Sequence, residues 1–396
     1  MRPPDSAALT QIGELAKSGD FSDALLLAKM ITTPQAAWFT GGTPTQVTQQ
    51  VRTTMVQAAF EHAVPVIVAY DIPGRDCAQY SAGGALSQAD YQAWIDALAT
   101  GIGHARALVL VEPDGLGNMP SDCHLPTSVY PFTDAERIAE INYAVSSLTQ
   151  NPNASVYLDG THSAWQSVGT MSQRLLEGGV QQARGFYLNV SNYQPTPELI
   201  DYGTWISDCI AMVTDPSSWA YGLPADCASQ YYPATQGDFS TWGLTTKWYA
   251  DNMGSAAATT HFVIDTSRNG QGPNNMQAYA AAPYNQSSAV VSKLASGNWC
   301  NPPASGLGLR PTSDTGVPLL DAYLWVKVPG ESDGQCDAAG GVRAWDYTAY
   351  AQPTWPTDPA AQQLFDPLWG LNDPAAGAWF SQQALQLAQN AQPPLH

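Results

Sequence analysis

The sequence predicts an α/β fold in which repeated strand–helix units bring a parallel sheet round into a barrel. Short apolar runs that lack alternation recur along the chain, as expected of strands covered on both faces. Amphipathic helices with capping signals separate these runs, which is the order of a parallel sheet. Successive runs end in acids, at Asp71, Asp114 and Asp159. A doubly wound open sheet is the alternative, but no GxGxxG turn follows the early strands.

The amino-terminal quarter is predicted to begin with helices. After an opening helical stretch, residues 24–31 form the first apolar run of the core, and Trp38 follows in a loop that Gly41 and Gly42 close. A helix is predicted over about residues 44–62, because Thr43 can cap it, a proline suits its first turn and apolar residues recur every four positions.

The strand–helix repeat then continues to near the carboxyl terminus. Ser87 with Asp90, and Thr133 with Glu136, are helix-opening signals. The last element, about residues 378–390, is predicted as a closing helix. Buried strands are predicted at 64–71, in the apolar part of 107–117, and at 155–159, 185–189, 261–265 and 319–327.

The stretch 107–117, Ala-Leu-Val-Leu-Val-Glu-Pro-Asp-Gly-Leu-Gly, carries the residue that we predict to perform chemistry. Proline and glycine end the strand here and free the backbone to turn. Asp114 would then face whatever lies above the sheet. The carboxyl ends of barrel strands surround one pocket, so we expect other strand-end residues to converge there, namely Asp71, Asp76, Asp159, His162, Asn192, Asp265, Lys327, Glu331 and Asp333. From the sequence alone, two roles stay open for Asp159 and Asp265. Each either contributes to the pocket or only holds a loop in place.

Length and charge restrict the function. The 396 residues suffice for one barrel domain with insertions, and no apolar run reaches the ~20 residues needed to span a bilayer. Fifteen Lys and Arg against 34 Asp and Glu give a formal charge of -19, which repels phosphate backbones and anionic lipid. We therefore expect neither nucleic acid nor membrane as a partner. The 13 Trp and 18 Tyr offer platforms for sugar rings.

The six cysteines form no CxxC pair and have no His at metal spacing, which disfavours zinc. An even number in a Lys-poor chain indicates three disulfides and an oxidising compartment, although fifteen pairings remain open. We expect a secreted, extracellular protein, and we interpret the start at Met1 as a mature domain whose signal peptide has been removed.

Two segments break the repeat. Residues 193–254 are longer than a strand–helix connection needs, and residues 336–376 are rich in Pro, Gly and Trp. Long structured loops on the active face of a barrel usually roof or wall the site. The chain is thus predicted to be a single catalytic domain, 1–396, with two loop insertions over the active site.

Six blocks of sequence, in order, resemble family 6 of the glycoside hydrolases, the cellulases that invert anomeric configuration. Residues 70–77, Tyr-Asp-Ile-Pro-Gly-Arg-Asp-Cys, and 109–114, Val-Leu-Val-Glu-Pro-Asp, are similar to the signatures of that family. The other blocks are 159–165, 185–193, 298–301 and 325–333, so that the resemblance covers roughly residues 38–333. It implies a distorted barrel of about seven parallel strands.

The resemblance also implies residue roles. Asp114 is similar to the proton donor of the family, Asp76 to the carboxyl that tunes it and helps to organise the water, and Asp333 to the proposed base. Tyr70 and Ser81 match positions beside the distorted sugar, with Ser81 aligned across a one-residue gap. Sugar-binding positions of the family are similar to Trp38, His162, Trp165, Asn192, Trp299, Lys327 and Glu331. The implied disulfides are Cys77–Cys123 and Cys300–Cys336, which leaves Cys209 with Cys227.

One position departs from the family. Its fungal members carry a second tryptophan three residues after the one that matches Trp165, and Val168 stands there in this chain. One sugar platform is thus either absent or supplied by a loop.

The implied activity is hydrolysis of β-1,4-glucosidic bonds of cellulose with inversion. Because the two insertions resemble tunnel-forming loops of bacterial members, we expect a monomeric cellobiohydrolase that acts on cellulose and cello-oligosaccharides and releases cellobiose from non-reducing ends. An endoglucanase with an open cleft is the alternative within the family. A non-catalytic polysaccharide-binding protein would keep the tryptophans but has no need of Asp76 and Asp114 together. A metal-dependent hydrolase would need clustered His, and six scattered His do not supply them.

Overall fold

The computed structural model describes residues 5–395 and contains one seven-stranded sheet in which the strands follow chain order and every neighbouring pair is parallel. The first residues of the chain, on which the expectation of a removed signal peptide rests, lie outside this range. The strands are β1 (Ala37–Phe39), β2 (Val66–Ala69), β3 (Ala107–Val111), β4 (Ala154–Asp159), β5 (Gly185–Leu188), β6 (His261–Asp265) and β7 (Leu320–Leu324).

The sheet curls so that its two edge strands approach each other. The backbone N–H of Ala36, before β1, donates to the carbonyl of Trp325, after β7, at 3.0 Å, and Trp38 Nε1 donates to the Val326 carbonyl at 2.8 Å. These bonds do not form a ladder, so the barrel is closed by single contacts. The predicted distorted barrel of about seven parallel strands is confirmed.

Both faces of the sheet are apolar, which explains why the strands show no alternation in sequence. Side chains on one face, such as Val109 and Val111, pack in a large core with the helices, whereas Val68, Leu110 and Tyr187 point the other way and fill the inside of the barrel. Alternate residues of one strand therefore serve two different cores.

Helices flank the sheet, and the predicted capping signals operate as expected. Thr43 accepts a hydrogen bond from the Gln46 N–H in a reciprocal capping box, and Thr133 forms a second such box. Ser87 caps the helix between them by accepting from the Asp90 N–H. The helices are α1 (Ser6–Ser18), α2 (Phe21–Thr32), α3 (Pro44–Phe60), α4 (Gln88–Ile102), α5 (Asp134–Leu148), α6 (Val168–Glu177), α7 (Thr196–Thr214), α8 (Gly243–Asn252), α9 (Ser288–Ser296), α10 (Pro359–Gln363) and α11 (Ser381–Gln389). Within residues 5–395, no helix combines the length and apolar character that crossing a bilayer demands.

The placement of Trp38 in a loop is wrong. Trp38 is the central residue of β1, where it pairs in register with Val68 of β2. The apolar run at 24–31 lies in helix α2, where Ala24, Leu27 and Met30 are buried. A three-residue edge strand carries too little pattern for a sequence period to reveal it.

Candidate active site

A cavity of about 630 Å³ lies above the carboxyl ends of the strands. Eleven of the predicted site residues contribute to its wall: Trp38, Tyr70, Asp76, Ser81, Asp114, His162, Trp165, Asn192, Trp299, Lys327 and Asp333. Four residues that were expected to converge there do not line it, namely Asp71, Asp159, Asp265 and Glu331. The curled sheet thus brings together residues that are as far as 295 positions apart in the chain, from 38 to 333.

The two acids after β3 have different surroundings. Glu112 is fully buried and accepts hydrogen bonds from the backbone N–H groups of Asp71 (2.9 Å) and Ile72 (3.0 Å). Burial raises the pKa of Glu112 to about 8. This acid holds the end of β2, whereas Asp114, two residues later, reaches the cavity. Both residues have left-handed backbone (φ 50° and 63°), a costly conformation that turns the chain sharply here.

Asp114 is set up to hold its proton. Burial raises the pKa of its carboxyl well above the ordinary value, and the negative charges of Asp159, Asp76 and Asp333 raise it further. Of these three acids, Asp76 and Asp333 line the same cavity as Asp114. A carboxylic acid that stays neutral near neutral pH can act as a general acid.

Asp76 lies on a tightly constrained loop after β2. Three consecutive residues, Asp76, Cys77 and Ala78, have left-handed backbone (φ 56°, 45° and 60°). The Ser81 N–H donates to Asp76 Oδ2 at 2.6 Å, which holds the carboxyl against the loop. Burial raises the pKa of Asp76 to about 6, with Asp333 adding to the rise and the Ser81 bond and Arg75 opposing it. Strained backbone of this kind is typical of functional sites.

Asp333 is held as an anion by several donors. Arg268 Nη1 lies 2.8 Å and Lys327 Nζ 3.2 Å from its carboxylate. Burial opposes ionisation of Asp333, but the two cations outweigh it and hold its pKa below the ordinary value. Tyr193 Oη (3.2 Å) and the Asn301 N–H (3.0 Å) donate to the same carboxylate. The pKa values of two acids in the cavity wall are thus shifted in opposite directions, upward for Asp114 and downward for Asp333.

Aromatic rings form much of the cavity wall. The rings of Trp38 and Tyr70 pack edge to face with their centroids 5.6 Å apart, and the ring centroids of Trp165 and His162 are also 5.6 Å apart. Burial lowers the pKa of His162 to about 4, so its imidazole is neutral and can accept as well as donate a hydrogen bond. Trp165 packs on Gly117, where an added Cβ would lie 2.7 Å from the indole, so that only glycine fits. Aromatic faces with neutral polar groups suit the apolar and hydroxyl faces of sugars.

Two strand-end acids, Asp159 and Asp265, accept hydrogen bonds from backbone N–H groups. Asp159 accepts from the N–H groups of Gly117 and Thr161, each at 2.9 Å. Asp265 accepts from the N–H groups of Val326 (3.1 Å) and Lys327 (3.0 Å), which fixes the chain after β7. Neither lines the cavity, so both hold loops in place.

Glu331 does not join the other predicted residues. It is buried at 9% exposure, outside the cavity wall, and its backbone pairs with Trp379. Sequence reasoning also missed residues of the wall, among them Gln79, Asn118, Ser191, Gln194 and Asn298. Ser191 and Asn298 belong to blocks that were recognised, but Gln79, Asn118 and Gln194 are loop residues with no motif of their own.

The three disulfides have the pairing that the family resemblance implies. Cys77 bonds Cys123, Cys209 bonds Cys227 and Cys300 bonds Cys336. The first lies directly beside Asp76. The third joins the loop that contains Trp299 to the loop that contains Asp333.

The two long insertions lie mostly away from the cavity. Of residues 193–254, Tyr193 and Gln194 contribute to its wall, and no residue of 336–376 does. Helix α7, which forms part of the first insertion, packs on the outer core of the sheet through Trp205 and Cys209. The first insertion reaches the site indirectly, because Tyr231 Oη donates to the Trp165 carbonyl at 2.8 Å.

A curled parallel barrel whose Trp-lined cavity combines a carboxyl of raised pKa with one of lowered pKa is typical of a glycoside hydrolase that works by acid catalysis. In residues 5–395, no group of three or more His, Cys, Asp or Glu is placed to hold a metal ion. The chain belongs to glycosyl hydrolase family 6, because the sequence model described as Glycosyl hydrolases family 6 matches residues 1–391.

Similar proteins agree with this assignment. Endoglucanase A of Cellulomonas fimi is 32% identical over 93% of this chain, which spans 57% of that protein, and Endoglucanase 1 of Streptomyces sp. (strain KSM-9) is 32% identical over 82% of the chain and 71% of its own length. A probable 1,4-beta-D-glucan cellobiohydrolase C of Aspergillus niger is 29% identical over 82% of the chain and 60% of its own length. The structure of the endoglucanase Cel6 from Mycobacterium tuberculosis, in complex with a thio-linked cellobioside, superposes with a TM-score of 0.62 at 34% identity, over 92% of this chain and 89% of that one.

Proposed function

We propose that this chain hydrolyses β-1,4-glucosidic bonds of cellulose and cello-oligosaccharides with inversion of configuration. The observation that carries the proposal is a cavity lined by tryptophans together with Asp114, whose pKa is raised well above the ordinary value, and Asp333, whose pKa is held below it. The names of the similar proteins, endoglucanases and cellobiohydrolases, support the same substrate class.

In the proposed mechanism, Asp114 donates its proton to the glycosidic oxygen as the bond to the anomeric carbon breaks. The nearby negative charges keep that proton in place until the leaving oxygen becomes basic. A water attacks the anomeric carbon from the opposite side and loses its proton towards Asp333. Inverting enzymes need about 6.5–9.5 Å between the two carboxyls to admit this water. We predict such a separation between Asp114 and Asp333, too long for a covalent glycosyl intermediate.

Other wall residues would position the sugar. Tyr70, whose ring packs against the Arg75 guanidinium at 4.7 Å, would lie under the reacting ring and favour its distortion. Asp76 and Ser81 would organise the attacking water. Neighbouring glucosyl units would stack on the cavity tryptophans and bond to polar groups, namely Trp38, Trp165 and Trp299 with His162, Asn192 and Lys327.

We propose that cleavage occurs within chains, in an open cleft, and not from chain ends. The expectation of a cellobiohydrolase depended on two insertions that would roof the site. Among the described residues, the wall includes only two positions of the first insertion and none of the second. The relatives at 32% identity are also named endoglucanases. Exo-action with release of cellobiose from non-reducing ends remains the alternative that experiment must decide.

We further propose that the protein acts outside the cell, as a monomer and as one catalytic domain. Three disulfides favour an oxidising compartment.

Removal of the donor tests the activity. Asp114→Ala is expected to release soluble sugar from cellulose at least about 1,000-fold more slowly than the parent chain, within the range of general acid catalysis and orientation. A 2,4-dinitrophenyl cellobioside, whose leaving group needs no proton, should suffer a much smaller loss. Equal sugar release by the variant and the parent would remove the enzyme proposal and favour a binding protein.

The configuration of the first product tests inversion. Nuclear magnetic resonance should detect the α-anomer first, and an initial β-anomer would exclude inversion.

The viscosity of a carboxymethylcellulose solution distinguishes endo-action from exo-action. An endo-acting enzyme lowers the viscosity rapidly while it forms few reducing ends, whereas an exo-acting enzyme forms cellobiose with little change in viscosity. We expect the first result. Mostly cellobiose and a nearly constant viscosity would restore the cellobiohydrolase prediction.

A further inference from the structure

Tyr80 lies on the loop that carries the cavity residues Asp76, Gln79 and Ser81, but it does not itself line the cavity. Its neighbours Gln79 and Ser81 both line the wall. The Tyr80 ring instead points towards residues 334–340, which follow β7 and Asp333. A side chain of the loop after β2 therefore reaches the loop after β7.

The Tyr80 hydroxyl both accepts a hydrogen bond from Asp337 and donates one to it, and Asp337 lies in the loop after β7. It accepts a hydrogen bond from the Asp337 N–H at 3.0 Å and lies 3.1 Å from Asp337 Oδ1, to which it donates. Asp337 is 4% exposed and also accepts from the Gly340 N–H at 2.7 Å, so it is a fixed partner. Burial raises the pKa of Tyr80 to about 12, which keeps the hydroxyl protonated.

The Tyr80 ring packs closely against two glycines of the second loop, Gly334 and Gly340. A Cβ added at Gly334 would lie 2.4 Å from Tyr80, and one added at Gly340 would lie 2.2 Å from its hydroxyl oxygen. The ring centroid is also 6.2 Å from that of Trp299. The second loop thus has space for this ring because two of its residues are glycines.

The two loops carry the groups whose relative position matters for catalysis. Asp76 lies four residues before Tyr80, and Asp333 lies immediately before Gly334. The charge of Asp333 raises the pKa of Asp76, so the two carboxyls interact across the gap. Three residues of the first loop, 76–78, have left-handed backbone, a conformation that persists only when surrounding contacts enforce it.

We propose that Tyr80 is a positioning residue that fastens the loop of Asp76 and Ser81 to the loop of Asp333. It keeps the carboxyl that tunes the proton donor in fixed register with the proposed base. Tyr80 touches neither the cavity nor the substrate. The inference rests on the proposed glucan hydrolysis only for its effect on rate, because the contact between the loops exists independently of it.

The test compares Tyr80→Phe, which keeps the ring, with Tyr80→Ala. On cellotetraose we expect kcat to fall roughly three- to tenfold in the Phe variant, as for loss of a hydrogen bond, and further in the Ala variant, with KM nearly unchanged. In the Ala variant the alkaline limb of the pH profile should move to lower pH, because Asp76 drifts away and the donor loses part of its protonation. A merely destabilised protein would keep its pH profile.

Tyr143→Phe is the matched control, because its hydroxyl donates to Asp96 at 2.8 Å on the helical surface away from the cavity. It should leave kcat and the pH profile unchanged. Circular dichroism checks folding, and the Phe variant suffices if the Ala variant does not fold.

An active parent with unchanged kcat and pH limbs in folded Tyr80 variants would overturn the inference. An inactive parent would refute the proposed function instead. Amide hydrogen exchange then decides the inference alone. Faster exchange over both 76–85 and 334–340 in a Tyr80 variant supports it, and unchanged exchange overturns it.

Discussion

The carboxyl of Asp114 differs from that of Asp333 in having no cation among the groups that shift its pKa. Burial is the largest cause of its raised pKa, followed by the charges of Asp159, Asp76 and Asp333. Asp333 is also buried, yet Arg268 and Lys327 hold its pKa below the ordinary value. Two residues of one type thus take opposite protonation states because of their partners.

Asp76→Asn should move the alkaline limb of the pH profile to lower pH. The donor works when protonated, so activity falls as the pH rises through its pKa. The negative charge of Asp76 raises that pKa, and its removal lowers it by up to about one unit. Profiles of kcat/KM for parent and variant on cellotetraose measure the shift, alongside a lower maximal rate.

Asp251→Asn is the control for the loss of one negative charge, because Asp251 is an exposed residue paired with Lys247 on α8. Its profile should match that of the parent. An alkaline limb that stays in place, or rises, in Asp76→Asn would contradict the role assigned to Asp76.

At the level of elements, two disulfides of similar chemistry should serve different purposes. Cys77–Cys123 closes a separation of 46 residues beside Asp76, and Cys209–Cys227 closes 18 residues between α7 and the following loop. Loop-closure entropy predicts that each stabilises the fold, by roughly 4 and 3 kcal/mol respectively. Only the first holds the backbone of a site residue.

We expect the paired variant Cys209→Ser/Cys227→Ser to unfold at lower denaturant concentration while kcat stays near that of the parent. The paired variant Cys77→Ser/Cys123→Ser should lose stability and also at least about tenfold in kcat, because the left-handed loop at Asp76 loses its anchor. Urea titrations and initial rates measured on folded protein separate the two effects. Equal kcat in both variants would contradict the assignment.

The sequence predicted the elements whose pattern is local. Buried runs such as that of β3 and caps such as Thr43 act within a few residues, so their physical causes are visible in sequence. The strand at Trp38 was missed because its identity depends on pairing with Val68 of β2. The positions of the insertions depend in the same way on tertiary packing.

The candidate site shows the same difference between local patterns, which the sequence reveals, and contacts between distant residues, which it does not. Asp114 was predicted from the strand that it follows and then matched a family block, the role of Asp76 came from a family block, and their convergence follows from the parallel order of the strands. The ion pair of Arg268 with Asp333 joins residues 65 positions apart, and the contact of Tyr80 with Asp337 joins residues 257 apart. Such contacts have no spacing rule, so only the structure reveals them.

Over the whole molecule, burial raises the pKa of several acids. The pKa of Glu112 rises to about 8, that of Glu140 to about 7 and that of Asp208 to about 6, with burial as the first cause in each. The native state therefore holds protons that the unfolded chain, with ordinary pKa values near 4, has already lost. The stability contributed by such groups is lost as the pH rises from the unfolded to the folded pKa. The formal charge of -19 acts in the same direction.

We therefore expect the melting temperature to be highest near about pH 5 and to fall by on the order of 5 °C or more by about pH 8. Lowered pKa values, such as that of Asp333, oppose this trend only below about pH 4, where those groups gain protons. Calorimetry at several pH values measures the curve. In about 0.5 M sodium chloride, screening should weaken the repulsion between surface charges but leave the burial effect, so much of the fall should remain. A melting temperature that rises with pH over this range would show that the buried acids are ionised, and a fall that salt abolishes would assign it to net charge alone.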